Sequence, residues 1–177
     1  SMILIFDVDY HDDGTALVAV VGIESWDSAE TVLERTLPIP ETASYEPGYF
    51  YKRELPCIMA MIRDLHLPAE EIDCLVVDGH CWLDEDRPGL GAHLYEKLHR
   101  LFPVVGIAKS RFHMGFATEV FRPGSTKPLY VTAEGLYDAP GRVSGMHGSY
   151  RIPTALKRVD ALCRGREEPS QGKFTHA

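Results

Sequence analysis

Apolar residues in this chain come in short blocks separated by polar turns, and the spacing inside each block predicts an element. Ile3, Leu4, Ile5 and Phe6 run together and continue as Asp7-Val8-Asp9, so residues 3–9 predict a strand with Asp7 and Asp9 on one face. His11-Asp12-Asp13-Gly14 has the composition of a hairpin turn, and residues 16–23 and 31–37 follow as strands of an antiparallel meander. A loop over residues 38–51, rich in proline and aromatic side chains, leads to a helix from about residue 54 to residue 65. Pro56 is tolerated in the first turn of that helix, and Ile58, Met59, Ile62 and Leu65 form its apolar stripe. Residues 72–77 predict a buried strand, and Leu90, Leu94, Leu98 and Leu101 an amphipathic helix. Residues 103–108 predict a short buried strand ending near Lys109, residues 129–132 an edge strand, and residues 154–163 a helix closed by Gly165.

Three antiparallel strands followed by helix, strand, helix, strand is the element order of the ribonuclease H-like fold. That fold is α/β, with a mixed central sheet in which the meander is continued by parallel strands and the helices flank both faces. The strand at 72–77 then lies parallel to the first strand. No repeat or linker interrupts the chain, and residues 1–177 read as one domain with a full core.

Composition narrows the class. A hydrophobic content of 45% fits a globular protein, and no apolar run approaches a membrane span. The apolar opening is a short strand carrying Asp7 rather than a secretory signal, Ser1 ahead of Met2 reads as a tag remnant, and the expected location is the cytoplasm. Cys57, Cys74, Cys81 and Cys163 show no C-x-x-C spacing, which predicts buried free thiols and argues against structural zinc. The formal net charge of −8 argues at first sight against a nucleic-acid partner. It is unevenly spread: residues 1–104 hold 7 Lys and Arg against 20 Asp and Glu, whereas residues 105–177 hold 11 against 6. A basic surface beside an acidic site suits a phosphodiester substrate, provided the two sequence halves map onto different faces.

The acids carry the candidate chemistry. Leu75-Val76-Val77 runs into Asp78-Gly79-His80 and then into Cys81-Trp82-Leu83-Asp84-Glu85-Asp86, so a second strand ends among carboxylates as the first does. Acids at strand ends also begin turns and cap helices, and either segment alone fits that ordinary role equally well. With the two strands parallel and adjacent, Asp78 meets Asp7, and Glu54 on the intervening helix leans over the same point. Carboxylates brought together in this way repel unless hard cations neutralise them, and Mg²⁺, with Mn²⁺ as the other candidate, accepts such ligands while keeping waters for chemistry. A metal site of this kind hydrolyses phosphodiesters.

These residues resemble the endonuclease V family, ribonuclease H-fold nucleases that act on hypoxanthine-containing nucleic acid. The resemblance runs through Phe6-Asp7-Val8-Asp9-Tyr10, Tyr45-Glu46-Pro47-Gly48, Lys52-Arg53-Glu54-Leu55-Pro56, Asp78-Gly79-His80, Gly89-Leu90-Gly91-Ala92-His93-Leu94 and Pro103-Val104-Val105-Gly106-Ile107-Ala108-Lys109-Ser110. It implies that Asp7, Glu54 and Asp78 are metal ligands, that Tyr45 and Pro47 belong to a wedge intruding on the strand at the lesion, and that Lys109 lies near the scissile phosphate. Thr175-His176 resembles the end of the motif that places a histidine by the metals. Arg53, His80 and Arg111 are further candidates for contact with a DNA or RNA substrate, and Arg151 for contact with flanking phosphates. The chain departs from the family at Asp84, which stands where a histidine is usual, and at residues 135–148, which read as an altered lesion-side loop. An aspartate there could add a metal ligand and leave proton transfer to water or to His80.

Two rivals remain at this stage. Phe6-Asp7-Val8-Asp9 at a strand end also resembles the nucleophile motif of haloacid dehalogenase-like phosphatases, in which the first strand leads into a helix. A nuclease-like binder that has lost turnover is the other, and the altered acidic loop is its motive.

Overall fold

β1 (Met2–Tyr10) alternates two buried sets of side chains, and that alternation layers the molecule. Met2, Leu4 and Phe6 enter one core, while Ile3 and Ile5 enter another on the opposite face of the sheet. The structure, a computed structural model, describes residues 1–112 and 115–170. Its remaining strands are β2 (Ala16–Ile23), β3 (Leu33–Ile39), β4 (Ile72–Asp78), β5 (Val104–Ala108), β6 (Thr118–Val120) and β7 (Leu129–Glu134). They form one sheet in the order β3-β2-β1-β4-β5-β7-β6, with β1, β4 and β5 parallel and the other neighbours antiparallel.

Helices α1 (Tyr51–Leu65) and α2 (Leu90–Lys97) cover the Met2, Leu4 and Phe6 face, whereas α3 (Ala139–Ser144) and α4 (Thr154–Cys163) cover the other. Side chains such as Leu4, Val20, Leu75 and Leu162 are wholly buried, each contributing about 1.5–3 kcal/mol of transfer free energy. The four cysteines are free and buried, as their spacing predicts. No helix among the described residues is long and apolar enough to cross a membrane.

The mixed sheet and the β1 to β4 pairing agree with the sequence reading, and several boundaries do not. β3 runs two residues later than 31–37 and holds Pro38, which an edge strand tolerates because its outer side needs no amide donor. α1 begins at Tyr51, so Pro56 lies inside it rather than in its first turn. The carbonyl left without an intrahelical donor belongs to Lys52, an exposed residue. α2 stops at Lys97 because His99 and Arg100 take left-handed φ values of 57° and 60°, and Leu101 leaves the apolar stripe with 66% exposure.

β7 is an interior strand: the short β6 pairs with it and takes the edge. Residues 135–148, read as a loop, contain α3. β1 turns straight back into an antiparallel β2, which sets aside the phosphatase topology, where a helix follows the first strand.

Candidate active site

Period-two alternation and strand register place the first two acids. Ile5 and Val76 are partners across the parallel β1–β4 pair and both belong to the α4-side core. Two residues further along each strand, Asp7 and Asp78 share that face at the sheet's end. The Val8 amide donates to Asp7 Oδ1 at 2.9 Å. Burial pushes the Asp7 carboxyl up to about 7, the Asp78 charge adds to the rise, and the Val8 amide opposes it. Desolvation also raises Asp78, although the residue is still exposed at the strand end, against the pull of the Lys109 ammonium. Asp7, Asp78 and Lys109 line one small cavity, roofed by Leu156 and Val159 of α4.

The turn after β4 is fixed by close backbone approach. Gly79 has φ +132°, and a Cβ on Gly106 of β5 would stand 2.6 Å from the Gly79 carbonyl oxygen. The Cys81 amide donates to Thr132 Oγ1 at 2.7 Å, and the Gly89 amide to the Cys81 carbonyl at 2.8 Å. Asp78 therefore projects from a strand end held on three sides.

Glu54 comes from the opposite layer. It sits on α1 with 3% exposure, and its Oε2 is buried with no hydrogen-bond partner. Burial raises its carboxyl well above the usual carboxylate range, and the charges of Asp78 and Asp7 raise it further, against the neighbouring Arg53. The structure thus brings Asp7, Glu54 and Asp78 into one electrostatic cluster.

Asp160 on α4 completes the cluster, and the sequence reading missed it. One ligand atom each from Asp7, Asp160 and Cys163 lies within 4.8 Å of the others, the grouping found among the described residues. Arg164 pairs with Asp160 at 2.8 Å. A faint signal was present in α4: Ala155, Val159, Leu162 and Cys163 form its buried stripe, and Asp160 borders that stripe with a half-buried carboxylate.

The remaining predicted residues divide. His80 Nε2 lies 3.1 Å from the Ser110 carbonyl oxygen, to which it donates, while its buried Nδ1 has no partner. Phe50, Asp78, His80, Lys109, Arg111 and Phe112 line an adjoining open groove of about 400 Å³. Tyr45 and Pro47 are exposed on the loop before α1. Arg53 is turned inward, its guanidinium 3.8 Å from the Tyr10 ring centroid. Asp84 is engaged by its own loop, accepting from the Asp86 amide at 3.0 Å and pairing with Arg87 at 3.3 Å.

Arg151 is committed to the scaffold, donating to the carbonyls of Pro128 and Lys109. His93 stacks on Tyr51 with ring centroids 3.7 Å apart. His176 lies outside the described residues.

A buried carboxylate oxygen without a donor, facing two further carboxylates, fits a hard divalent cation. The carboxylate oxygens of Asp7, Glu54, Asp78 and Asp160 suit Mg²⁺ or Mn²⁺, whereas the Cys163 thiol, grouped with Asp7 and Asp160, does not. Carboxylates converging from a central sheet and both helical layers on the ends of β1 and β4 define a ribonuclease H-like site. The sequence model of the endonuclease V family matches residues 1–146, and the chain belongs to that family. α4 lies beyond the matched segment.

Endonuclease V of Streptomyces coelicolor is 27% identical, over 89% of this chain and 76% of that protein. The crystal structure of endonuclease V from Streptomyces avermitilis superposes with a TM-score of 0.75 at 25% identity, covering 94% of this chain and 81% of that one. Ciona intestinalis endonuclease V, crystallised with a DNA containing an inosine followed by a ribo-adenosine, shares the fold at 18% identity. Its TM-score is 0.77, over 93% of this chain and 84% of that one.

Proposed function

We propose that this chain is a divalent-metal-dependent endonuclease that hydrolyses phosphodiester bonds in DNA or RNA beside a deaminated base, hypoxanthine above all. The observation that carries the metal assignment is Glu54, buried with an unpartnered Oε2 among the charges of Asp7 and Asp78. Family membership carries the reaction class, and the inosine-containing DNA bound by the Ciona intestinalis relative carries the substrate.

In this reading Asp7, Glu54, Asp78 and Asp160 hold one or two Mg²⁺ or Mn²⁺ ions, whose chemistry is to activate water and stabilise the leaving oxygen. The Val8 amide orients Asp7, so its second oxygen stays available. Lys109, lining the cavity with both aspartates, holds a phosphate oxygen that the acids alone would repel. His80 is oriented by Ser110 and lines the groove, with its Nδ1 buried and unpartnered. Asp84 orders its loop through Arg87. Tyr45 and Pro47, exposed before α1, meet the strand near the lesion, and Arg111 meets its backbone across the groove.

Cleavage of inosine-containing single-stranded DNA, duplex DNA and RNA, each with Mg²⁺ and with chelator, tests the proposal. The expected result is Mg²⁺-dependent cleavage of at least one inosine substrate over its unmodified control. Binding without cleavage in any arm would favour the turnover-deficient binder.

A further inference from the structure

The flank of α4 that runs beside the acidic centre carries an aromatic and a cation that neither the core nor the site uses. Helical spacing puts Lys157, Asp160 and Arg164 along one flank, next to Leu156 and Val159, which roof the Asp7 and Asp78 cavity. Lys157 precedes Asp160 by three residues, about 4.5 Å along the helix axis. Its Nζ lies 4.3 Å from the centroid of the Tyr150 ring. Tyr150 is 66% exposed, so the ring face away from Lys157 is open.

The ring stands on a rigid base. Arg122, 1% exposed, donates from Nε to the Tyr150 carbonyl at 3.0 Å, and the adjacent Arg151 donates to the carbonyls of Pro128 and Lys109. Tyr150 is thereby tied to the same rim as Lys109, whose charge acts on Asp7 and Asp78. Across the cluster, Phe50 and Arg111 line the groove beside His80. The acidic centre consequently has an aromatic with a cation on each side.

We propose that Tyr150 and Lys157 form a strand-holding contact on the α4 side, with a nucleobase stacked on Tyr150 and its neighbouring phosphate on Lys157. This inference rests on the nucleic-acid reading above and adds the path of the strand. Every base presents a π-face, so the contact positions the strand without choosing its sequence. An exposed aromatic whose backbone is already ordered loses little entropy when a base stacks on it. Lys157 exchanges its cation–π contact for a charge-assisted contact with phosphate, which is the stronger of the two at an exposed site.

The test uses the full chain in Ca²⁺, with single-stranded DNA carrying one inosine and a 2-aminopurine placed in turn at each nearby position on either side. The expected result is quenched emission at positions on one side of the inosine. That quenching is lost in Tyr150→Ala and kept in Tyr150→Phe, with affinity about fivefold or more weaker for the alanine variant. Lys157→Ala should lower the slope of log affinity against log salt by about 0.7.

Tyr150→Ala matching wild type in affinity and in emission at every position, with an unchanged slope for Lys157→Ala, overturns the inference. Wild-type cleavage of inosine substrates would then still stand, separating that failure from failure of the functional reading. Wild type that neither binds nor cleaves overturns both.

Discussion

The carboxylates of Asp7 on β1 and Asp160 on α4 approach within 4.8 Å across the boundary between sheet and helix. Arg164 offsets part of the Asp160 charge from the solvent side, at 2.8 Å. Asp7 has the Val8 amide and a more distant Lys109. The fold holds the pair in place with less than its full counter-charge, which on the proposed reading a divalent cation supplies.

Asp160→Asn keeps the shape of the side chain and removes its charge. Cleavage should fall about 10- to 100-fold, with a higher Mg²⁺ concentration needed for half-maximal activity. Initial rates across a Mg²⁺ titration check this, and an unchanged titration would remove Asp160 from the metal site.

The same electrostatics set a pH dependence of stability in chelator. The Asp7 carboxyl is raised from 3.8 to about 7, chiefly by burial and then by Asp78, so between those values the folded state binds a proton that the unfolded state has released. Stability therefore falls as pH rises through that window, the reverse of an ion-paired aspartate. Tm in chelator should be higher at about pH 5 than at about pH 8, and Asp7→Asn should flatten the difference while abolishing cleavage by about a hundredfold or more. A wild-type Tm that rises with pH over that interval would contradict the burial of an uncompensated charge.

Much of this site was legible because strands announce their ends. Asp7 and Asp78 each follow an apolar run, and the element order makes those two runs parallel neighbours, so the sequence alone predicts that they meet. Glu54 was placed by the helix between them, although its start at Tyr51 was hidden by Pro56, which reads as a first-turn residue. Asp160 was not found because a helix interior gives no such punctuation: only its place at the margin of a buried stripe marks it. β6, three residues long, has too short a pattern to predict, and its omission turned β7 into an edge strand. Arg151 was a phosphate candidate on charge alone, but its guanidinium is spent on main-chain carbonyls, a use that sequence does not show.

Arg122 is the structural counterpart. Its guanidinium donates to the carbonyls of Val143, Met146, Gly148 and Tyr150 at 2.8–3.0 Å and closes the segment between α3 and α4. Arg122→Leu leaves those carbonyls without their charged donor and should cost about 3 kcal/mol or more, read as a lower denaturation midpoint. Because Tyr150 loses its anchor, proteolysis within residues 143–150 should accelerate along with it.

Asp84, which the sequence resemblance sets where a histidine would be expected, makes local contacts. Its bond to Arg87 is half-exposed, and Arg87 in turn lies 5.2 Å over the Phe112 ring at the groove. Asp84→Ala should leave the Mg²⁺ requirement and the pH–rate profile in place and change substrate affinity by less than about fivefold. A shifted acid limb in either Asp84→Ala or Asp84→His would instead place this carboxylate at the metals.

The last prediction concerns binding before chemistry. On the proposed reading Asp7, Glu54, Asp78 and Asp160 stand where a phosphate must approach, in a chain of formal net charge −8. Burial favours the protonated form of Glu54 and, below about pH 7, of Asp7, so above that pH and without a divalent ion the remaining carboxylates repel the strand. Lys109 alone cannot reverse that field, although it lines the same cavity as Asp7 and Asp78. Affinity for an inosine-containing single strand should therefore be at least about tenfold higher in non-cleaving Ca²⁺ than in chelator, because a bound cation inverts the sign of the local charge. Lys109→Ala should weaken binding in Ca²⁺ and lower the salt slope by about 0.7, as one phosphate contact is lost. Arg151→Ala should instead lower the Tm by withdrawing its bonds to Pro128 and Lys109. Equal affinity in Ca²⁺ and chelator, with an unchanged slope for Lys109→Ala, would mean that the strand does not approach through the acidic centre.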